Sequence, residues 1–454
     1  MASYDGERAE VVSSLEDFKT SPLFGFVDQN PTTHLPAYFK PWEDLAYQTS
    51  TLVLQSGSMR AQVHSLPLLD HTRLGDDSEW KAALVFLTCI TYGYIWCDGD
   101  DGVPEVLPRC VAVPYMAVAT RLEVPPSINM YSFILLNWKL KDPKGPLKLD
   151  NMDSIVNLRV GVDESWFYCT TAQVELDFAP ALTSIIKMQK ACKEKSLEVV
   201  VEELSKIEST LCQMRKTLKR MPECCQPQVF FNVFRPFIRG WDSDPFKRKN
   251  LKGLIYEGVS TEPFSFTGLS AAQSCTLPCL DAAFGIVHNT NEEESRDQFL
   301  DYAPRSHREL IRAIKKGPSV RELVSSSGSA EARDRFNACL EAIRSFRDTH
   351  LQIVTRFIVL MANEKKKDAS TGDQGLTGTG GTDLMSFLKG LRDTSTGGWL
   401  GQTESFKGIT REFVTSVTRF NLGYYYGRKI LHWMSVSAAA AALTAVIMKR
   451  FFDL

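Results

Sequence analysis

His350 stands in the middle of an apolar helical stripe, in a chain with only seven histidines. Phe336, Leu340, Ile343, Phe346, His350, Ile353, Val354 and Phe357 recur at steps of three and four, which places them on one face of an α-helix. An imidazole on such a face has to be hydrogen-bonded, or bound to a centre that takes its nitrogen lone pair. A haem iron is one such centre. Taken alone, the helix favours the plainer outcome, a paired core histidine. Arg347 lies one turn earlier. It would reach a carboxylate at the edge of such a cofactor, or else it is a surface arginine beside the stripe. Arg235 lies inside FFNVFRPFIRGW, among Phe230, Phe231, Phe234 and Phe237. A cation there is costly unless it meets an anion or solvent. The combination suits an aromatic acid, with the ring against Phe and the carboxylate on Arg. The alternative is an arginine that snorkels outward past Pro236.

Other segments exclude chemistry. GTGGTDLM, Gly378 to Met385, follows no strand and matches neither a Walker loop nor a dinucleotide turn. It is either a flexible linker or a glycine loop that closes over a ligand. GLSAAQS, Gly268 to Ser274, is not a hydrolase elbow around Ser270. The eleven cysteines are scattered, and Cys275 and Cys279 have no second pair nearby to complete a metal site. With no apolar leader after MASYDGERAEVVSS, reduced thiols and a cytoplasmic location are expected. A net charge of -2, from 52 basic and 54 acidic residues, gives no support to a nucleic-acid partner.

The elements that must position these residues read as helices throughout, so the fold class is all-α. Residues 1–34 form a polar arm, 35–125 a small helical domain, 126–165 a connector and 166–398 a larger helical domain that contains the loop 364–382. SEWKAALVFLTCITYGYIWC is strongly helical, INMYSFILLNWKL reads as a second helix, and no Pro or Gly interrupts Ala181 to Pro222. The last helix of the stripe is expected to run from Ala330 to Asn363. Residues 399–454 form an extension whose segment 430–448 has no acid, Lys or Arg. That segment has about the length of a spanning helix, roughly 20 residues, but is rich in Ala and Ser. A membrane tail anchor and an ordinary packed or interfacial helix both remain open.

YEG, SAAQS, PSVREL, RDTHLQIVTRFI and GTGGTDLMSFLK, in this order, resemble the indoleamine 2,3-dioxygenase family, as do LPRCVAVPY, LEVPP and NWKLKDP before them. The resemblance runs from about His34 to about Asp393. It implies an all-α enzyme with haem b, ferrous for O2 binding, held between a small and a large helical domain. Its substrates would be L-tryptophan and O2, its product N-formylkynurenine on the route to NAD, and its working form a monomer. Carried over residue by residue, His350 matches the proximal iron ligand, and Arg347 and Ile353 the residues beside the haem. Phe230 matches the residue packing on the indole and Arg235 the one binding its carboxylate. Phe167 and Thr171 match the distal pocket, Ser270 and Ala271 the distal backbone, and Thr379 and Gly380 the loop over the substrate. No side chain is expected to act as acid or base. Thr171 replaces an expected Ser, and Leu269 interrupts an expected pair of glycines. Both are expected to weaken tryptophan binding, and they leave a low-turnover haem-binding or signalling relative as the alternative.

Overall fold

A computed structural model describes residues 11–368, 384–395, 399 and 400. The loop positions Thr379 and Gly380 and the apolar segment 430–448 lie outside the described residues. The described residues up to Ser395 belong to one unit by contact. It is built from helices, with only four two-residue strands among the described residues, and the all-α expectation holds.

Eleven of the helices make up much of the unit. In chain order they are α1 (Lys40–Leu52), α2 (Asp77–Trp96), α3 (Arg109–Arg121), α4 (Val162–Asp177), α5 (Ala179–Glu194), α6 (Leu197–Lys219), α7 (Thr276–Phe284), α8 (Thr290–Leu300), α9 (Arg305–Lys316), α10 (Ala330–Val354) and α11 (Leu384–Thr394). α6 is the hub, and α4, α5 and α10 pack on it. The reason is visible in its stripe, where Val200, Leu204, Ile207 and Met214 are all inaccessible to solvent. The facing stripe of α10, with Phe336, Cys339, Leu340 and Ile343, is equally buried. α2 is buried all round from Ala82 to Trp96, as its unbroken apolar run requires. Asp76 starts it by accepting the backbone N–H groups of Ser78 and Glu79.

The Ala181–Pro222 stretch holds α5 and α6, separated at Lys195, whose left-handed conformation (φ 55°) ends α5. Two expectations are corrected. INMYSFILLNWKL is not a helix: one π-helical turn, Tyr131–Leu135, leads into the short strand Lys139–Leu140, which pairs with Met152–Asp153. The stripe from Ala330 is also interrupted, by a π turn at Thr355–Val359 before the helix Leu360–Asp368. One helix, α8, had no apolar stripe to announce it. Its signal is a capping box in which Asn289 and Glu292 satisfy each other's backbone N–H groups.

Candidate haem and substrate site

His350 sits on α10 one turn before the π turn at Thr355–Val359. Such turns place one extra residue in a helical cycle and frequently mark functional positions. The imidazole is deep in the protein, and burial lowers its pKa to about 4. Its residue surface is not fully closed off, so the ring lies at depth while bordering open space. No described residue hydrogen-bonds to it. The paired core histidine therefore finds no support among the described residues, and a neutral ring with a free lone pair is what an iron ligand requires. Ile353 follows one turn later, partly buried.

Arg347 is not a surface residue. It is 5% exposed, and its guanidinium is forked onto both carboxylate oxygens of Asp281 at 2.8 and 2.7 Å. Its other terminal nitrogen donates to Leu391 O at 3.1 Å and to Ser395 Oγ, which fastens α11 to α10. Only Nε–H is left without an acceptor. Asp281 also accepts from Arg296 at 2.7 Å and meets His288 Nε2 at 3.0 Å, while His288 Nδ1 meets Thr394 Oγ at 2.7 Å. Burial pushes the Asp281 carboxyl up, but Arg347, His288 and Arg296 together hold its pKa at about 2. The alternative of a solvated Arg347 is excluded, and its unpaired Nε–H leaves one donor for a further anion.

Another π turn, Phe230–Phe234, packs against the one at Thr355–Val359. The ring of Phe230 meets Phe357 edge-on at 5.6 Å, Phe234 at 4.9 Å and Phe167 of α4 at 5.2 Å. Phe167 and Phe234 lie 5.4 Å apart. These four rings join α4, both π turns and the His350 helix in one aromatic wall. Arg235 follows at once. It keeps helical angles (φ -52°, ψ -37°) although Pro236 comes next, a conformation that proline disfavours in its predecessor. Its guanidinium lies over Phe231 at 5.5 Å, and burial, then the nearby Arg239, lower its pKa to about 10. Arg239 itself is forked onto Asp100, so that charge is already answered. Thr171, one turn after Phe167, donates its hydroxyl to Phe167 O at 2.8 Å.

Ser270 and Ala271 are held near the end of the Arg235–Ile238 turn by backbone pairing. Leu269 N donates to Ile238 O at 3.0 Å, and Trp241 N to Phe266 O at 2.9 Å. The two segments approach so closely that a Cβ on Gly268 would lie 2.1 Å from Ile238 O; only glycine fits. Ser270 then caps the turn Ala271–Gln273. Gln273 is buried, accepts the N–H groups of Ser270 and Met130, and donates to Gly268 O at 2.9 Å. A buried carboxylate, Glu175 of α4, accepts from Ser274 and Thr276 at 2.6 and 2.7 Å, which locks this segment to the helix of Phe167. At the other end of α4, Glu164 accepts Leu158 N, Arg159 N and the Tyr168 hydroxyl. Burial outweighs those bonds and raises its pKa to about 7.

A sequence profile described as indoleamine 2,3-dioxygenase matches residues 14–397. The chain belongs to the indoleamine 2,3-dioxygenase family. It is 32% identical to indoleamine 2,3-dioxygenase 2 of Mus musculus over 388 residues, 85% of this chain and 95% of that protein. It is 31% identical to the indoleamine 2,3-dioxygenase of Saccharomyces cerevisiae over 422 residues, 84% and 92% of the two chains. It is also 31% identical to a protein named myoglobin from Haliotis madaka, over 84% of this chain and 97% of that one. The indoleamine 2,3-dioxygenase family is one of haem proteins, which accords with the His350 ring and the Arg347 Nε–H described above. Among the described residues, no helix is long and apolar enough to cross a membrane.

The structure brings Phe167 and Phe230 together with Phe357, just after the His350 helix, places Arg235 directly after Phe234, and ties the Ser270 segment to the Arg235 turn through Ile238. Phe234, Phe357, Asp281, His288, Glu164 and Glu175 belong to the same arrangement but were not singled out by the sequence. Phe234 and Phe357 read as core. The carboxylates carry no local signal, because their partners lie far along the chain.

Proposed function

We propose that the protein binds haem b on His350 and inserts both atoms of O2 across the indole C2–C3 bond of L-tryptophan, giving N-formylkynurenine. The observation that carries this reading is the His350 imidazole, deep and neutral, with no hydrogen bond to any described residue. Bound ferrous haem would supply the O2-binding metal and the oxidising chemistry. The chain's own residues orient and exclude. Arg347, fixed by Asp281, would hold a haem propionate through its remaining N–H. Phe230 and Phe167 give the indole an apolar wall, and Arg235 stays a cation at neutral pH and takes the substrate carboxylate. Among the described residues, the aromatic wall is made of Phe167, Phe230, Phe234 and Phe357, and no side chain there is assigned a proton-transfer step.

The similarity to a protein named myoglobin supports a second reading, reversible O2 binding on the same haem without turnover. One experiment separates them. Purified protein supplemented with haem should show a Soret band that His350→Ala abolishes or strongly weakens. With L-tryptophan and reductant, absorbance from N-formylkynurenine should grow at a catalytic rate. A protein that stays colourless defeats both readings, and one that binds O2 without forming product leaves only the second.

A further inference from the structure

A cavity of about 430 Å³ opens between α4 and α6, lined by residues that the haem and substrate site does not use. On α4 it is lined by Gln173, Leu176 and Asp177. Residues two apart on an α-helix point roughly 200° apart, so Gln173 and Thr171 lie on different faces. From α6 come Ser209, Thr210 and Gln213.

The polar part of this wall is rich in acceptors. Asp177 accepts one hydrogen bond from Gln173 Nε2 at 2.9 Å and one from the Thr217 hydroxyl. A carboxylate has about four lone-pair positions, so capacity remains. Because a carboxylate can only accept, the bond from Gln173 fixes which end of that amide is which. Gln173 Oε1 has no donor, but it is buried away from the open space, so Asp177 is the acceptor the cavity offers. Burial raises the Asp177 pKa against the pull of its hydrogen bonds from Thr217, Gln173 and Gln213. No Lys or Arg lines the cavity to relieve that burial. The rest of the lining is apolar, with Leu23, Leu147 and Pro180 beside Leu176.

A half-buried carboxylate with hydrogen-bond donors but no cation in the cavity lining, beside an apolar wall, complements a donor-rich cation on an apolar body. We propose that this cavity is a second small-molecule site, which takes a primary ammonium carried on a compact aliphatic group, with Asp177 as its counter-ion. The volume falls in the range of ligand pockets, roughly 300–1,000 Å³.

The probe is cyclohexylammonium, titrated calorimetrically into the haem-loaded full-length protein at neutral pH, with cyclohexanol as the uncharged comparator. Saturable one-to-one binding of the amine alone is expected. Asp177→Asn keeps the shape and removes the charge, and it should weaken binding about tenfold or more. Ser209→Phe, at an exposed position of α6, fills the cavity and should do the same without touching the carboxylate, so it decides the matter where Asp177→Asn fails to fold. Phe230→Ala, in the aromatic wall, should leave the affinity unchanged. No saturable binding, equal affinity in the folded Asp177 and Ser209 variants, or loss of binding in Phe230→Ala would each overturn the proposal.

Discussion

A histidine gives its lone pair to iron only while the ring is neutral, and the burial that lowers the pKa of His350 to about 4 keeps it neutral far below physiological pH. His350→Gly should therefore lose the Soret band of the haem-loaded protein. Imidazole added to the buffer should restore part of it, because the space vacated is that of the missing ligand. A Gly variant that keeps its full spectrum without imidazole would show that another residue holds the iron. Arg235 works by the opposite property. Burial lowers its pKa only to about 10, so it remains charged at neutrality inside an apolar wall. Replacing it by Gln should raise KM for L-tryptophan about tenfold or more, the scale of a lost charge-assisted hydrogen bond, and move kcat less. Tryptamine has no carboxylate and should not distinguish the variant from the parent. Equal losses on both substrates would mean that Arg235 supports its own π turn and not the carboxylate.

At the scale of elements, Asp281 is where four helices are tied. α7 carries it, α8 brings Arg296, α10 brings Arg347, and α11 closes the far side through Leu391, Thr394 and Ser395. Asp281→Ala would leave two largely buried guanidinium groups without their shared anion, a change that typically costs about 3–5 kcal/mol. Urea unfolding should show that loss, and Asp281→Asn, which still accepts one hydrogen bond, should lose less. A loss below about 1 kcal/mol would assign the pairing to the solvated class. None of this was legible in CLDAAFG, since a carboxylate's partner 66 residues away leaves no periodicity. What was legible followed from burial on one face. The stripes of α6 and α10 were readable because the core selects apolar residues every third or fourth position. The break at Lys195 was not, because a left-handed lysine carries none of glycine's signal. His350 and Arg235 stood out for the same physical reason: each is a polar group where the pattern demands an apolar one. The contact between Leu269 and Ile238 was hidden, being a pairing of backbones that only the folded chain brings together.

At the scale of the whole molecule, buried ionisable groups away from the haem ligand set how stability follows pH, and they pull in opposite directions. His307 is buried at 3% exposure, its Nδ1 has no partner, and burial lowers its pKa to about 3 from an unfolded value near 6.5. Between those values the unfolded chain binds a proton that the folded one refuses, so stability falls as pH drops from 6.5 towards 3. Glu164 is the reverse. Its pKa is raised to about 7 from 4.5, so the folded chain holds a proton that the unfolded one has released, and stability falls as pH rises from 4.5 to 7. Each group contributes a slope of up to about 1.4 kcal/mol per pH unit inside its window. From 4.5 to 6.5 the two slopes offset one another, and a plateau is expected there. Below 4.5 the Glu164 contribution is complete while the His307 loss continues, and Asp281, with its pKa held at about 2 against 3.8, adds to that loss as the pH falls further. Urea midpoints measured from pH 4 to 7 test this with two variants. His307→Gln removes the acid-labile term, so its stability should keep rising as pH is lowered from 6.5 to 4.5, driven by Glu164 together with Asp242, whose pKa burial raises to about 6. Relative to the parent, Glu164→Gln should lose stability as pH falls across the same interval. If both variants kept the plateau of the parent, the balance would lie in other groups and the two buried positions would not control the acid limit of the fold.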